Sequence, residues 1–122
     1  MRLDPSEPAF TIGVAAKLTQ LSQKQLRLLE AREIVVPGRT SRGRRLYSLH
    51  QLDQLRYVAY LMSRRGVNPA GVLVALELLS LLPEEGRLAV LSAADDALAA
   101  GLSDGDLEPL LEEIEAEDAR EP

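Results

Sequence analysis

A short loop rich in arginine contains the side chains of this sequence that are best suited to binding an anion. Four arginines surround one glycine there, in the order Arg39, Arg42, Gly43, Arg44 and Arg45. A guanidinium group binds two phosphate oxygens at once, and glycine allows the backbone to approach a charged ligand closely. The loop is therefore predicted to bind phosphate groups, and a solvated basic hairpin is the structural alternative.

A second candidate for anion binding lies at the start of a predicted helix. Ser22 and Gln25 have the spacing of a capping box, in which each side chain satisfies a backbone N–H group of the first turn. The positive end of such a helix attracts phosphate groups, and its first side chains can reach base edges. We therefore predict contacts with nucleic acid from Ser22, Gln23 and Lys24. Arg27, one turn later, is predicted to contact the sugar-phosphate backbone.

The composition argues against catalysis and against a bound metal. The chain has no cysteine and one histidine, so thiolate metal sites, disulfides and thiol redox sensing are excluded and zinc catalysis is not expected. The carboxylates are scattered and form no acid–base pair at helical spacing. We therefore predict that the protein is not an enzyme and uses no cofactor or metal.

Hydropathy predicts a cytoplasmic protein with no membrane partner. No stretch reaches the roughly 18 consecutive apolar residues that a transmembrane helix needs. The N-terminus, MRLDPSEPAF, lacks both the basic start and the apolar run of a secretory signal.

The net charge of −5 conceals two regions of opposite charge. Residues 1–83 contain twelve Lys or Arg and six Asp or Glu, whereas residues 84–122 contain two and thirteen. A negative net charge argues against nucleic acid as a partner only when the charges are evenly spread along the chain. The asymmetry instead predicts a basic module that faces nucleic acid and an acidic segment that does not.

The elements that must position these side chains follow from capping residues and periodicity. Thr11 caps a short helix that runs to about Leu18, and Ser22 begins a second helix after a tight turn. Two short helices joined in this way form a helix-turn-helix. The β-branched run 34–36 and the residues 46–47 flank the arginine loop and predict a small β-hairpin, or wing.

Two longer helices are predicted after the hairpin. Ser48 begins a third helix with a second capping box, and that helix runs to about Arg65 and ends at Gly66. Asn68 and Pro69 have the types expected at the N-cap and first position of a fourth helix.

The fourth helix and the acidic C-terminal region carry apolar faces that predict a subunit interface. The fourth helix is apolar around nearly its whole circumference, so it must be covered on more than one side. One acidic amphipathic helix is predicted over 84–100, and another begins at Ser103. The predicted interface, for a homodimer or a protein partner, consists of the aliphatic residues Leu76, Leu79, Leu107, Leu110, Leu111 and Ile114.

The order helix, turn, helix, basic hairpin, helix describes a winged helix-turn-helix, and residues 10–82 resemble the DNA-binding domain of MerR-type transcription regulators. The landmarks are Phe10-Thr11-Ile12-Gly13, Val14-Ala15-Ala16, Leu26-Arg27, Pro37, Arg39-Thr40, Arg44-Arg45-Leu46-Tyr47-Ser48 and Gly66-Val67-Asn68.

This resemblance implies a homodimer bound to double-stranded DNA at a near-palindromic promoter element. The second helix would read the major groove, and the wing and third helix would hold the flanking phosphates. Lys17, Tyr47 and Arg56 are predicted as further phosphate contacts. The chain then divides into an N-terminal arm (1–9), a mainly α winged helix-turn-helix domain (10–82) and an acidic helical appendage (83–122).

The chain departs from the family at the end of the reading helix. It has Leu28-Leu29 where aromatic residues are usual, and Arg32-Glu33 where a glycine usually ends that helix. The missing glycine predicts a different exit from the helix. The wing and the run Gly66–Val72 resemble the heat-shock repressor branch, whose co-repressor is an Hsp70 chaperone, and the lack of cysteine excludes the branches that sense metals or oxidants through thiols.

One alternative function uses the same fold. A helix-turn-helix kept as a scaffold could bind a chaperone or the transcription machinery through the apolar fourth helix and the acidic helices, with weak or no affinity for DNA. The affinity for duplex DNA separates the two hypotheses.

Overall fold

Residues 4–100 are described by the computed structural model, which is mainly helical with one small antiparallel sheet. This architecture confirms the predicted winged helix-turn-helix. In chain order the elements are α1 (Ile12–Thr19), α2 (Gln23–Ala31), β1 (Gly38–Arg39), β2 (Arg45–Leu46), α3 (Leu49–Arg65), α4 (Pro69–Ser80) and α5 (Glu84–Ala99).

The two predicted capping boxes are both formed. The Ser22 hydroxyl accepts a hydrogen bond from the backbone N–H of Gln25 at 3.0 Å, and the Gln25 side chain accepts one from the Ser22 N–H at 2.9 Å. Ser48 and Gln51 make the same pair of bonds at the start of α3. The starts of α2 and α3 are therefore set by local side-chain hydrogen bonds, as the spacing predicted.

The end of α3 also follows the prediction. Gly66 caps this helix with φ at 66°, a left-handed conformation that costs glycine little. Two residues later the Asn68 side chain accepts a hydrogen bond from the N–H of Gly71, with Pro69 at the first helical position of α4.

The exit from α2 is left-handed although the chain has no glycine there. Glu33 adopts φ of 57°, and its N–H donates to the carbonyl of Glu30 at 2.9 Å. The next N–H, that of Ile34, donates to the carbonyl of Leu29 at 2.9 Å. The prediction of a different exit is therefore wrong, because Glu33 takes the backbone conformation usually left to glycine, at a cost of about 1 kcal/mol.

The wing is shorter than the sequence predicted. Its strands pair Gly38 with Leu46 and Arg39 with Arg45, and the β-branched run 34–36 is not a strand. The carbonyl of Val36 instead accepts a hydrogen bond from the Gln51 side chain at 2.6 Å. Pro37 follows and has no N–H to donate to a ladder, so strand pairing begins only after it.

The N-terminal arm, together with Phe10 just after it, packs against the wing and the start of α3. Phe10 forms an antiparallel bridge with Tyr47, and the N–H of His50 donates to the carbonyl of Pro5 at 3.0 Å. Pro8 lies over Gly38, where a β-carbon would meet its Cγ at 3.0 Å. The arm therefore holds the base of the hairpin, and Gly38 allows the close approach.

Helix α3 lies at the centre of the hydrophobic core and packs against α1, α4 and α5. It contributes Leu52, Leu55, Val58 and Ala59 to the main buried cluster, which also includes Leu98 of α5. The acidic helix predicted over 84–100 is thus present and shares the core of the helix-turn-helix. Across residues 4–100, every helix is too short or too polar to cross a membrane.

Candidate nucleic-acid interface

Helix α2 presents a polar and cationic face to solvent. Leu26 and Leu29 are buried against the core, whereas Lys24 and Arg27 are exposed. The Arg27 guanidinium donates to the side-chain oxygen of Gln23 at 3.2 Å, one helical turn away. The outer face of the first two turns therefore offers an ammonium, a guanidinium and an amide, which are the groups that bind phosphates and base edges.

The tip of the wing is a closed turn that carries Arg42 and Arg44. The N–H of Thr40 donates to the carbonyl of Arg44 at 2.8 Å, and that of Gly43 donates to the carbonyl of Thr40 at 2.9 Å. The Thr40 hydroxyl accepts from the N–H of Arg44 at 3.1 Å, and Gly43 has φ of 82°. Arg42 is exposed and Arg44 is half-buried. The backbone geometry thus places two cations at the tip.

Arg39 and Arg45 are bound within the protein by an acidic residue that the sequence reasoning missed. Glu30, on α2, accepts a hydrogen bond from the Arg39 Nη2 at 2.7 Å and one from the Arg45 Nε at 2.6 Å. The bond from Arg45 is the main reason that the pKa of Glu30 lies below its ordinary value, with Arg39 acting in the same direction and burial opposing both. These two arginines are ion-paired at the base of the wing.

One signal in the sequence points toward this role of Glu30. The basic module between residues 10 and 68 has three acidic residues, and Glu30 is the one that lies on the reading helix itself. A lone carboxylate among many cations is expected to be paired. The sequence does not show which cations pair with Glu30, because the pairing depends on how the wing packs against α2.

The predicted phosphate contact at Tyr47 is wrong for this conformation. The side chain is fully buried, with an exposed fraction of 0%, and belongs to the core cluster. Its hydroxyl has no hydrogen-bond partner among the described residues, and burial raises the pKa of this phenol. A phosphate could reach Tyr47 only if the base of the wing opened. In the closed conformation, the buried side chain packs in the core directly after β2 and supports the base of the wing.

Arg56 is bound within the fold and does not extend outward as a phosphate contact would. Its Nε donates to the carbonyl of Leu18 in α1 at 3.3 Å, and its Nη1 pairs with Asp53 at 3.1 Å. Asp95 of α5 lies 3.9 Å from the same Nε, and burial raises the pKa of this carboxyl while Arg56 opposes the shift. Arg56 therefore joins three helices, and its guanidinium is engaged within the fold in this structure.

The remaining predicted contacts differ in their exposure. Ser22 is exposed, but its hydroxyl oxygen is occupied by the N-cap hydrogen bond. Lys17 is half-buried in the last turn of α1. The exposed predicted cations are thus Lys24 and Arg27 on α2 and Arg39 and Arg42 on the wing, and Arg39 is ion-paired to Glu30.

Comparison with known proteins agrees with this geometry. The family model described as the MerR helix-turn-helix regulatory proteins matches residues 10–78, which is more than half of the chain. The chain belongs to this family. Its members are transcription regulators and not enzymes, which confirms the prediction that the protein is not a catalyst.

Three relatives of this MerR-family protein show how far the similarity extends. It is 42% identical over 67 residues to the transcriptional regulator GlnR of Bacillus anthracis, covering 55% of this chain and 51% of GlnR. It is 37% identical over 102 residues to a putative heat shock protein HspR of Streptomyces coelicolor, covering 82% and 67%. It is 41% identical over 50 residues to the regulator TnrA of Bacillus subtilis, covering 41% and 46%. The chain thus spans about half the length of the GlnR protein that it matches.

The predicted subunit interface of this MerR-family protein is only partly accessible. Leu79 is buried within the single chain, and Leu76 packs against the core of that chain. Neither residue therefore offers the free apolar surface that the prediction required. The side chains of Val74 and Leu78 on α4 point outward, and so does that of Leu81, which directly follows the helix. Their exposed fractions are 53%, 60% and 79%. The other predicted positions lie outside the described residues, namely Leu107, Leu110, Leu111 and Ile114.

Proposed function

We propose that this protein is a sequence-specific transcription regulator that binds double-stranded DNA at promoter elements as a homodimer. Helix α2 would enter the major groove, and the wing would bind the phosphates beside it. The observation that carries the proposal is the set of exposed cations on α2, Lys24 and Arg27, beside a wing whose base is ion-paired to the same helix. A helix-turn-helix with this arrangement can engage a groove and its flanking backbone together.

The direct test compares two duplexes of equal length and composition. One carries the region upstream of the protein's own gene, and the other is its scrambled sequence. We expect fluorescence anisotropy at 0.15 M salt to show at least about 1,000-fold tighter binding to the first, as is typical of specific over non-specific DNA binding. Equal binding to both would favour the protein-interaction module, and so would no binding to either.

The homodimer in this proposal forms through a stripe on α4, which we define as Val74, Leu78 and Leu81. Their spacing of four and then three residues places them on one face of a helix whose sole charged residue is Glu77. A nearly neutral apolar stripe fits a second copy of itself, because a two-fold axis brings the same surface of each subunit together. Burial of each leucine then contributes at most about 1.5–3 kcal/mol, and the entropy cost of association offsets part of it.

Introducing a charge into this stripe is expected to dissociate the dimer. In Leu78→Glu each subunit would bury a carboxylate against apolar neighbours, which is strongly unfavourable. Sedimentation equilibrium should show a dimer for the wild type and a monomer for this variant. The matched control is Val36→Glu, which places the same charge on an exposed apolar residue before β1 and should leave the dimer intact. A dimer that persists in Leu78→Glu would place the interface elsewhere.

We further propose that the protein belongs to the heat-shock repressor branch, acts in the cytoplasm and has an Hsp70 chaperone as its co-regulator. The similarity to the Streptomyces coelicolor protein supports the branch, because it extends beyond the helix-turn-helix. The promoters that the protein occupies in cells, before and after heat shock, test this assignment.

A further inference from the structure

We infer that Glu30 is a positioning residue for DNA binding, which holds the wing in a set orientation beside the reading helix. This inference rests on the proposed function, since it concerns how the DNA-binding surface is assembled. Glu30 itself bears a negative charge and is not expected to touch DNA.

The carboxylate of Glu30 connects α2 to both strands of the wing. One of its oxygens accepts from Arg39 on β1 at 2.7 Å, and the other accepts from Arg45 on β2 at 2.6 Å. The two strands pair over two residues each, so the hairpin has little structure of its own to fix its direction. The arm and the buried Tyr47 hold the base of the wing, and Glu30 adds a direct connection from α2 to both strands that we expect to fix the angle between the wing and α2.

Arg39 extends this connection to the tip of the wing. While its Nη2 binds Glu30, its Nη1 donates to the carbonyl of Gly43 at 2.7 Å. A single planar guanidinium thus joins α2 to the turn between Arg42 and Arg44. Because the guanidinium is rigid, the position of the tip cations relative to α2 depends on the carboxylate at its other end.

Burial distinguishes this role from simple competition with phosphate. The side chains of Glu30 and Arg45 are 15% and 25% exposed, so their pair is largely shielded from solvent. A shielded, hydrogen-bonded ion pair is costly to break, whereas an exposed one contributes little. DNA would have to open this pair to bind Arg45, so the pair is expected to persist in the complex.

The experiment compares Glu30→Gln with the matched control Glu33→Gln, which removes the same charge from an exposed residue three positions away. Removing a negative charge near DNA should by itself tighten binding. For each chain of the dimer, we expect Glu30→Gln to weaken binding to the specific duplex by about tenfold, and to reduce the slope of log affinity against log salt by about 0.9 as one wing loses one phosphate. Glu33→Gln should bind as tightly as the wild type or slightly tighter.

The opposite result would overturn the inference. If Glu30→Gln binds more tightly and with a steeper salt slope, Glu30 competes with phosphate for the arginines and does not position them. A second variant, Arg39→Lys, changes an exposed residue and keeps the charge of the wing. It loses the planar guanidinium that bridges Glu30 and the carbonyl of Gly43. It should bind several-fold more weakly than the wild type, and unchanged affinity would also overturn the inference.

A measurement without DNA separates failure of this inference from failure of the proposed function. Amide hydrogen exchange reports local opening, and the N–H groups of Thr40 and Gly43 close the wing turn. We expect both to exchange faster in Glu30→Gln, while the N–H of Leu52 in α3 exchanges as in the wild type. If the wild type fails to prefer its own upstream duplex, the proposed function fails. If the two wing amides exchange unchanged, the positioning role of Glu30 fails.

Discussion

Replacing Arg42 and Arg44 together with alanine is expected to weaken binding to the specific duplex by about 100-fold for each chain of the dimer at 0.1 M salt. Each hydrogen bond between a guanidinium and a phosphate contributes roughly 1.5–3 kcal/mol, and each lost contact removes about tenfold or more in affinity. The slope of log affinity against log salt should also fall by about 1.8 for each chain, since two phosphates are no longer neutralised. Anisotropy titrations at several salt concentrations measure both quantities.

The control for this variant removes two arginines from the C-terminal end of α3, which is the end of that helix away from the wing. Arg64 and Arg65 are exposed in the last turn of α3, roughly 24 Å along the helix axis from Leu49. Their replacement with alanine changes the net charge equally and should weaken binding only slightly. Equal losses from both pairs would show that the overall charge of the protein, and not the wing, determines its affinity.

Replacing Leu98 with alanine is expected to lower the free energy of unfolding by about 2–5 kcal/mol. Leu98 is 4% exposed and belongs to the core cluster built around α3, so its truncation leaves a cavity that neighbouring helices cannot fill. Urea unfolding followed by circular dichroism measures the loss. The control is Leu88→Ala on the same helix, where the side chain is 55% exposed and the expected change is within about 0.5 kcal/mol.

The Leu98 result also tests where the folded domain ends. The sequence predicted a boundary at residue 82, with everything beyond it as an appendage. A loss below about 0.5 kcal/mol would support a separable α5. A large loss would mean that α5 completes the core, and that a truncation meant to remove acidic charge should begin after Ala100 and spare the helix.

The starts of the helices could be predicted from the sequence because they depend on contacts between near neighbours. The capping boxes of Ser22 and Ser48 each close a ring between residues three positions apart, so type and spacing suffice. Gly66 and Asn68 act over similarly short distances. The exit of α2 was harder to predict, because the left-handed position there is occupied by Glu33 and not by glycine.

The candidate interface was predicted less completely, because a sequence does not show which cations are already paired. The bond between Glu30 and Arg45 joins residues 15 positions apart, and that between Arg56 and the Leu18 carbonyl joins residues 38 apart. Both depend on how the wing and α3 pack against the reading helix and α1. Tyr47 shows the same limit, since its side chain is buried in a core cluster that distant segments form together.

By itself, the sequence determined that this chain forms a winged helix-turn-helix with a basic module and an acidic C-terminal region, because capping, periodicity and charge act locally. Only the tertiary structure decided which arginines remain accessible. Arg45 and Arg56 are half-buried and paired with a carboxylate or a carbonyl from distant segments, and the exposed Arg39 is ion-paired to Glu30. Arg42 is exposed at the tip of the wing. The physical reason is that a guanidinium forms a stable ion pair with a shielded carboxylate, and that only the tertiary fold brings residues so far apart in the sequence into contact.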